Sequence, residues 1–183
     1  MVRGYVSKID GSVQYYGIVP AKREPTNVDA NIKPALVLTL HGAGVEGIGQ
    51  AACFTPKSNL ITVAPTNRRP FGFDWEDWGR MDAIEVLQLA EEEFQTDPRR
   101  TYLTGHSMGG HGTWNVGVNF PGRFATLGPS AGWASVVAIA WCCSISARRG
   151  AARRVPGAAR DFVRCGTGGS ASADSMSAPP STA

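Results

Sequence analysis

The residues Gly105-His106-Ser107-Met108-Gly109 carry the clearest chemistry in this chain. A serine hydroxyl is a weak nucleophile at neutral pH, so it needs exposure to its target and a base within hydrogen-bond reach. A G-x-S-x-G turn supplies the exposure, because it holds the serine on a tight, strained junction between a strand and a helix. Glycines flank the serine where side chains would strike the neighbouring strand and helix. The local context fits. The β-prone run Thr101-Tyr-Leu-Thr104 ends directly before Gly105, and a helix is expected from Ser107 to Phe120, stopped by Pro121-Gly122. The chemistry to expect is attack of the Ser107 hydroxyl on a carbonyl carbon.

Such an attack places negative charge on the carbonyl oxygen, and backbone N–H groups must receive it. Met108 N–H opens the helix and sits at its positive dipole end. A second donor is expected from His41-Gly42-Ala43-Gly44, which follows the apolar run Ala35–Leu40. That donor is the N–H of Ala43 or of Gly44. Losing one such donor costs about 3–4 kcal/mol of transition-state stabilisation.

The base is harder to place. The chain has three histidines, His41, His106 and His111. His41 is expected to brace the glycine turn. His106 occupies the variable position of the pentapeptide and is expected to point into the fold. His111, one helical turn beyond Ser107, reads as a packed helix residue. No Cys/His spacing resembles a zinc site, and no metal or cofactor is expected.

The elements that must position these groups alternate. Tyr5–Ile9 and Val13–Val19 flank Asp10-Gly11, the signature of an antiparallel hairpin. A proline-bearing loop covers residues 20–34. Ala35–Leu40 and Leu60–Ala64 are continuous apolar runs, as strands buried on both faces require. A glycine-rich turn is expected at His41–Gly49. A helix is expected from about Asp82 to Phe94, with Ala83, Leu87, Ala90 and Phe94 inward and Glu85, Gln88, Glu92 and Gln95 outward. Asp82 suits its N-cap or first turn. Phe124–Leu127 reads as a further strand. Buried strands alternating with helices indicate an α/β fold with a mostly parallel sheet, crossover helices and an antiparallel hairpin at one edge.

Residues 66–80 form a loop in which Phe71, Phe73, Trp75 and Trp78 stand among Arg68, Arg69, Asp74, Glu76 and Asp77. Ligands of open α/β sheets bind outside the strands' C-terminal ends, where this loop emerges. Trp75 and Trp78 are therefore candidates for a substrate-pocket wall. The competing reading is a loop anchored by tryptophan packing and local salt bridges.

Composition bounds the rest. The 183 residues suit one domain, and the net charge is +3. Residues 134–183 contribute +4 of that charge and the first 133 sum to −1, so the front part has no basic stripe for nucleic acid. No secretory leader is visible at Met1–Ser7, and the apolar run Val136–Cys143 is too short for a membrane helix. A soluble chain, cytoplasmic by default, is expected, with neither membrane nor nucleic-acid partner. Cys53, Cys142, Cys143 and Cys165 read as free or buried thiols. From Ala134 to Ala183, thirty-four of fifty residues are Ala, Ser, Arg, Gly or Pro. Such a stretch buries too little apolar surface to fold, so the chain divides into a domain at 1–133 and a low-complexity tail at 134–183. The tail is a natural disordered segment, a linker, or out-of-frame translation of a GC-rich gene. The residue bias favours the last.

These motifs resemble the α/β-hydrolase superfamily, in particular prolyl-oligopeptidase-like hydrolases and carboxylesterases. The resemblance covers about residues 4–133. It rests on Asp10-Gly-Ser-Val-Gln-Tyr-Tyr-Gly-Ile-Val-Pro20, Leu40-His-Gly-Ala-Gly44, Trp78-Gly-Arg-Met-Asp82, Gly105-His-Ser-Met-Gly-Gly-His-Gly-Thr-Trp114 and Gly128-Pro-Ser-Ala-Gly-Trp133. It implies a serine hydrolase that cleaves a small-molecule ester or a peptide through an acyl-enzyme on Ser107. It also implies a triad in the order Ser, Asp or Glu, then His, with the last two near the C-terminus. Here only His111 follows Ser107, and Asp161 and Asp174 lie in the biased tail, so the sheet is expected to be incomplete and the enzyme impaired. The sheet edge at Phe124–Leu127 is then expected to be apolar and exposed. A non-catalytic protein that keeps the hydrolase scaffold for binding or structure is the alternative.

Overall fold

A computed structural model describes residues 1–22, 32–68 and 73–134. Residues 135–183 of the low-complexity tail, with Asp161, Asp174, Cys142, Cys143 and Cys165, lie outside the described residues, as do Phe71 and most of the 20–34 loop.

The described residues build one six-stranded mixed sheet flanked by helices, in the strand order β1-β2-β4-β3-β5-β6. β3 (Ala35–Leu40) and β4 (Leu60–Ala64) have the predicted boundaries. They pair in parallel and lie in the middle of the sheet, which explains their uninterrupted apolar runs. β5 (Thr101–His106) pairs in parallel with β3, and β6 (Thr126–Ser130) with β5. The core gathers Leu36, Leu38 and Leu40 of β3, Ile61 and Val63 of β4, and Leu103 of β5.

β1 (Val2–Val6) and β2 (Val13–Val19) form the antiparallel hairpin, with β2 also antiparallel to β4. β1 lies three residues earlier than the sequence suggests. Val6 pairs with Val13, so Asp10-Gly11 sits within a six-residue loop rather than a two-residue turn. Ser7 N–H donates to Ser12 O at 2.9 Å and Gly11 N–H to Ser7 O at 3.0 Å, closing that loop.

Among the described residues three α-helices cover the sheet. α1 (Gly47–Ala52) begins inside the segment expected to be a glycine turn. The glycines there serve packing, since a Cβ on Gly47 would strike the carbonyls of Ala64 and Pro65. α2 (Asp77–Phe94) begins five residues earlier than expected, with Glu76 as its N-cap. Asp82 is therefore an interior residue of α2, and Glu85, expected outward, is buried. Helical periodicity assigned Glu85 to the polar face, but the hairpin loop covers that face. α3 (Met108–Asn119) follows Ser107 directly. Tyr5 and Tyr16 face α2, with Tyr5 Oη donating to Asp82 at 2.9 Å and Tyr16 Oη to Glu93 at 3.1 Å. Burial and the neighbouring carboxylates push both phenols up, Tyr16 to about 12.

Among the described residues β6 is the outer strand next to β5. Its exposed positions are Thr126, Gly128 and Ser130, whereas Leu127 packs against Gly117. The edge is thus less apolar than the expected span Phe124–Leu127 implied, because the strand begins two residues later. Pro129 adds a position that cannot donate to a further strand.

Candidate active site

Ser107 lies between β5 and α3 with φ 57° and ψ −118°, a conformation that few non-glycine residues adopt. Such a backbone stores on the order of 1–3 kcal/mol and persists only where its surroundings over-determine it. Here Ser107 N–H donates to Ser130 O at 2.9 Å, and His111 N–H donates to Ser107 O at 3.1 Å. Close backbone contacts complete the turn. A Cβ on Gly105 would strike the Gly109 carbonyl, and one on Gly109 would strike Leu40 O. Both glycines are thus required by approach: α3 sits directly on the ends of β3 and β5.

The His41–Gly44 turn leaves β3 beside this junction. A Cβ on Gly42 would lie 3.7 Å from Ser107 Cβ and 3.4 Å from His106 O. The two segments singled out from sequence therefore meet, although about 65 residues separate them. Met108 is buried at the start of α3, while Ala43 and Gly44 are exposed at the tip of the turn. His41 is fully buried and holds the turn in place, its Nδ1 2.9 Å from Gly42 O and its Nε2 3.1 Å from Thr66 O.

Trp75 and Trp78 separate. Trp75 is fully buried, which corrects its expected place in a pocket wall. Its Nε1 donates to His41 O at 3.0 Å, its ring meets the His41 ring edge-on at 4.9 Å, and it packs on Gly112. Only a residue without a side chain lets the indole lie against α3. Replacing Gly112 with Ala would put a Cβ 2.5 Å from the Trp75 ring. Gly112→Ala is therefore expected to lose about 1–3 kcal/mol by overpacking. Urea denaturation measures this, and an unchanged midpoint refutes it. Trp78 instead stands at the surface, in a cleft apart from Ser107.

The other two histidines are also engaged. His111 is buried, stacked on Trp133 at 4.7 Å, with Nδ1 3.1 Å from Trp133 O and Nε2 3.5 Å from Glu76 Oε1. His106 is exposed, with Nδ1 3.4 Å from Ser130 Oγ, which corrects the expectation that it points inward. α3 already fills the inner side of β5 at this point, so the side chain turns outward. Among the described residues no cluster of three His, Cys, Asp or Glu side chains is placed to hold a metal ion.

Sequence reasoning missed the centre of the 66–80 loop. The Arg68 side chain is 4% exposed and binds three carboxylates: Asp10 at 2.9 Å, Asp82 at 3.2 Å and Glu85 at 2.9 Å. The local salt bridges expected in this loop are thus long-range contacts. They tie the hairpin loop, the β4–α2 loop and α2 together. Burial pushes the Asp82 carboxyl up, against the pull of Arg68 and the Tyr5 hydroxyl. Neighbouring Asn67 is fully buried in a left-handed conformation, with no hydrogen-bond partner for either amide atom among the described residues.

Asp10 behaves oppositely. Hydrogen bonds from Ser12 and the Arg68 guanidinium hold its carboxyl at about 2, below the ordinary 3.8. A lowered folded value means that ionised Asp10 stabilises the fold above about pH 4, and that this support fades as pH falls through about 2. The melting-temperature gap between the protein and Asp10→Asn is therefore expected to be constant from pH 5 to 7 and to close near pH 2. A gap independent of pH refutes this.

A sequence model of the esterase family matches residues 29–161, most of the chain. S-formylglutathione hydrolase of Bos taurus is 35% identical over 57 residues, covering 31% of this chain and 20% of that protein. A thermostable esterase of known structure superposes with a TM-score of 0.60 at 23% identity, covering 77% of this chain and 43% of that one. S-formylglutathione hydrolase of Staphylococcus aureus does so with a TM-score of 0.56 at 18% identity, covering 82% and 68%. The two structural likenesses are in fold. The chain spans 15–20% of the length of the curated relatives it matches. With its strand order, its serine turn and this match over most of its length, the chain belongs to the esterase family of the α/β-hydrolase superfamily.

Proposed function

We propose that this chain carries the nucleophile and oxyanion site of a serine esterase that cleaves a small-molecule ester by acyl transfer. The observation that carries the reading is the strained Ser107 turn set against the His41–Gly44 turn, so close that a Cβ on Gly42 would lie 3.7 Å from Ser107 Cβ. Ser107 Oγ attacks the ester carbonyl and forms a tetrahedral intermediate. The Met108 N–H and an N–H of Ala43 or Gly44 receive its oxyanion. Collapse of the intermediate expels the alcohol and leaves the acyl group on Ser107, from which water removes it. Peptide cleavage would follow the same steps with an amine leaving group; family membership favours the ester.

Efficient turnover requires a histidine to take the serine proton, and the hydrogen bonds of His41, His106 and His111 run to other groups. That engagement supports impaired catalysis in this chain. It also keeps a second reading in view, a hydrolase scaffold used for binding alone. Peptide mapping after incubation with p-nitrophenyl butyrate separates the two. Butyryl transfer to Ser107, absent from Ser107→Ala, supports the esterase. Labelling confined to lysines in both proteins favours the binding scaffold.

A further inference from the structure

A cleft of about 690 Å³ opens on the sheet edge that carries Ser107, but Ser107 does not line it. Its walls come from three segments that meet at this edge: the β1–β2 hairpin with Asp10 in its loop and Tyr15 on β2, Glu46 after the glycine turn, and Arg68 with Trp78 after β4. Two features of the cleft stand out. Trp78 and Tyr15 are 37% and 36% exposed, so both offer aromatic surface to solvent. Among the described lining residues the accessible charge is negative.

Among the described residues that line the cleft, Arg68 is the one basic side chain, and it is spent inward. Its Nη1 donates to Asp10, its Nε to Asp82 and its Nη2 to Glu85, so one guanidinium faces three carboxylates. Glu46 adds a further carboxylate. It is the N-cap of α1, yet its side chain makes no capping hydrogen bond. Among the described residues, an anion entering here would meet Asp10 and Glu46 with no uncommitted guanidinium to receive it. A cation would meet carboxylates and the electron-rich faces of an indole and a phenol, the combination that recognises ammonium groups.

We propose that this cleft binds an organic cation, an alkylammonium or quaternary ammonium group, walled by Trp78 and Tyr15 and neutralised by Asp10 and Glu46. Ordinary alkali cations are bound less well there, because they give up a tight hydration shell for aromatic faces. A cationic group tethered to an ester would be held on the same edge as Ser107.

Choline tests the proposal by binding alone, so failure of the esterase reading leaves the test intact. The full chain is titrated with choline chloride at fixed ionic strength, alongside its uncharged carbon isostere 3,3-dimethylbutan-1-ol and a neutral methyl glycoside. Choline is expected to saturate with a Kd on the order of 1 mM, with the isostere at least about tenfold weaker. Trp78→Ala and Glu46→Gln are each expected to weaken choline by roughly three- to tenfold, with cooperative melting retained. Tyr15→Leu provides a third variant should Trp78→Ala fold poorly. Equal affinity for choline and its isostere, tighter binding of the glycoside, or choline binding indifferent to Glu46→Gln would each overturn the proposal.

Discussion

Purified protein of this sequence is expected to hydrolyse p-nitrophenyl acetate roughly 10⁶-fold more slowly than an intact serine esterase, whose kcat is on the order of 10 s⁻¹. The magnitude follows from what the geometry retains and what it lacks. The Met108 N–H and the His41–Gly44 turn stand beside Ser107, and an oxyanion site alone sustains about 10³–10⁴ over water. Among the described residues none of the three imidazoles is hydrogen-bonded to Ser107 Oγ. His41 is fully buried between the carbonyls of Gly42 and Thr66. His111 is stacked on Trp133 and faces Glu76. His106 is turned to Ser130. Substituting Ala for any of the three should not change the residual rate through loss of a base. A rate typical of esterases that disappears in Ser107→Ala would show that an imidazole does reach the serine.

Arg68→Ala is expected to produce the largest loss of stability, about 3–5 kcal/mol, lowering the melting temperature by on the order of 10 °C. The reason is what the substitution leaves behind. Asp82 is fully buried and the Glu85 side chain is 8% exposed, and both would lose their cation. Breaking a buried cluster by removing one partner costs more than the cluster was worth, because uncompensated charge remains. The loss should depend on pH. Without Arg68, burial raises the Asp82 carboxyl further in the folded state. A raised folded value gives stability that is full below the unfolded value near 4 and lost as pH rises. The deficit of Arg68→Ala should therefore be smallest near pH 4 and grow toward pH 7. The combined variant Arg68→Met with Asp82→Asn and Glu85→Gln should recover much of it. A deficit that is flat with pH, or no recovery in the combined variant, would mean that Arg68 acts through packing of its stem instead.

Much of the fold was legible because it rests on local rules. β3 and β4 needed only unbroken apolar runs between breakers, and their boundaries matched to the residue. The Ser107 turn was legible for the same reason: its glycines, the preceding β-prone run and the following helix are adjacent in sequence. Where local rules were overridden, the cause was a contact from far along the chain. α2 starts at Asp77 because Trp75, just before it, is anchored on His41 and Gly112. Glu85 looked outward by helical periodicity, yet Ser7 and Arg68, from the hairpin loop and the β4–α2 loop, cover it. α1 was hidden because glycine reads as a turn former, while here Gly47 permits close approach to β4.

The candidate site divides along the same line. Sequence alone determined which residue is the nucleophile candidate, which backbone segments could hold an oxyanion, and which three imidazoles these 183 residues carry. Those are properties of composition and short spacing. Tertiary structure decided what the side chains face. It brought Gly42 to Ser107 across about 65 residues, committed the imidazoles to other partners, and buried Trp75 while leaving Trp78 in an acidic cleft. Spacing along a chain fixes which groups can share an element. Only the packing of elements fixes which groups meet, because burial and partner choice are set by surfaces that the sequence brings together from a distance.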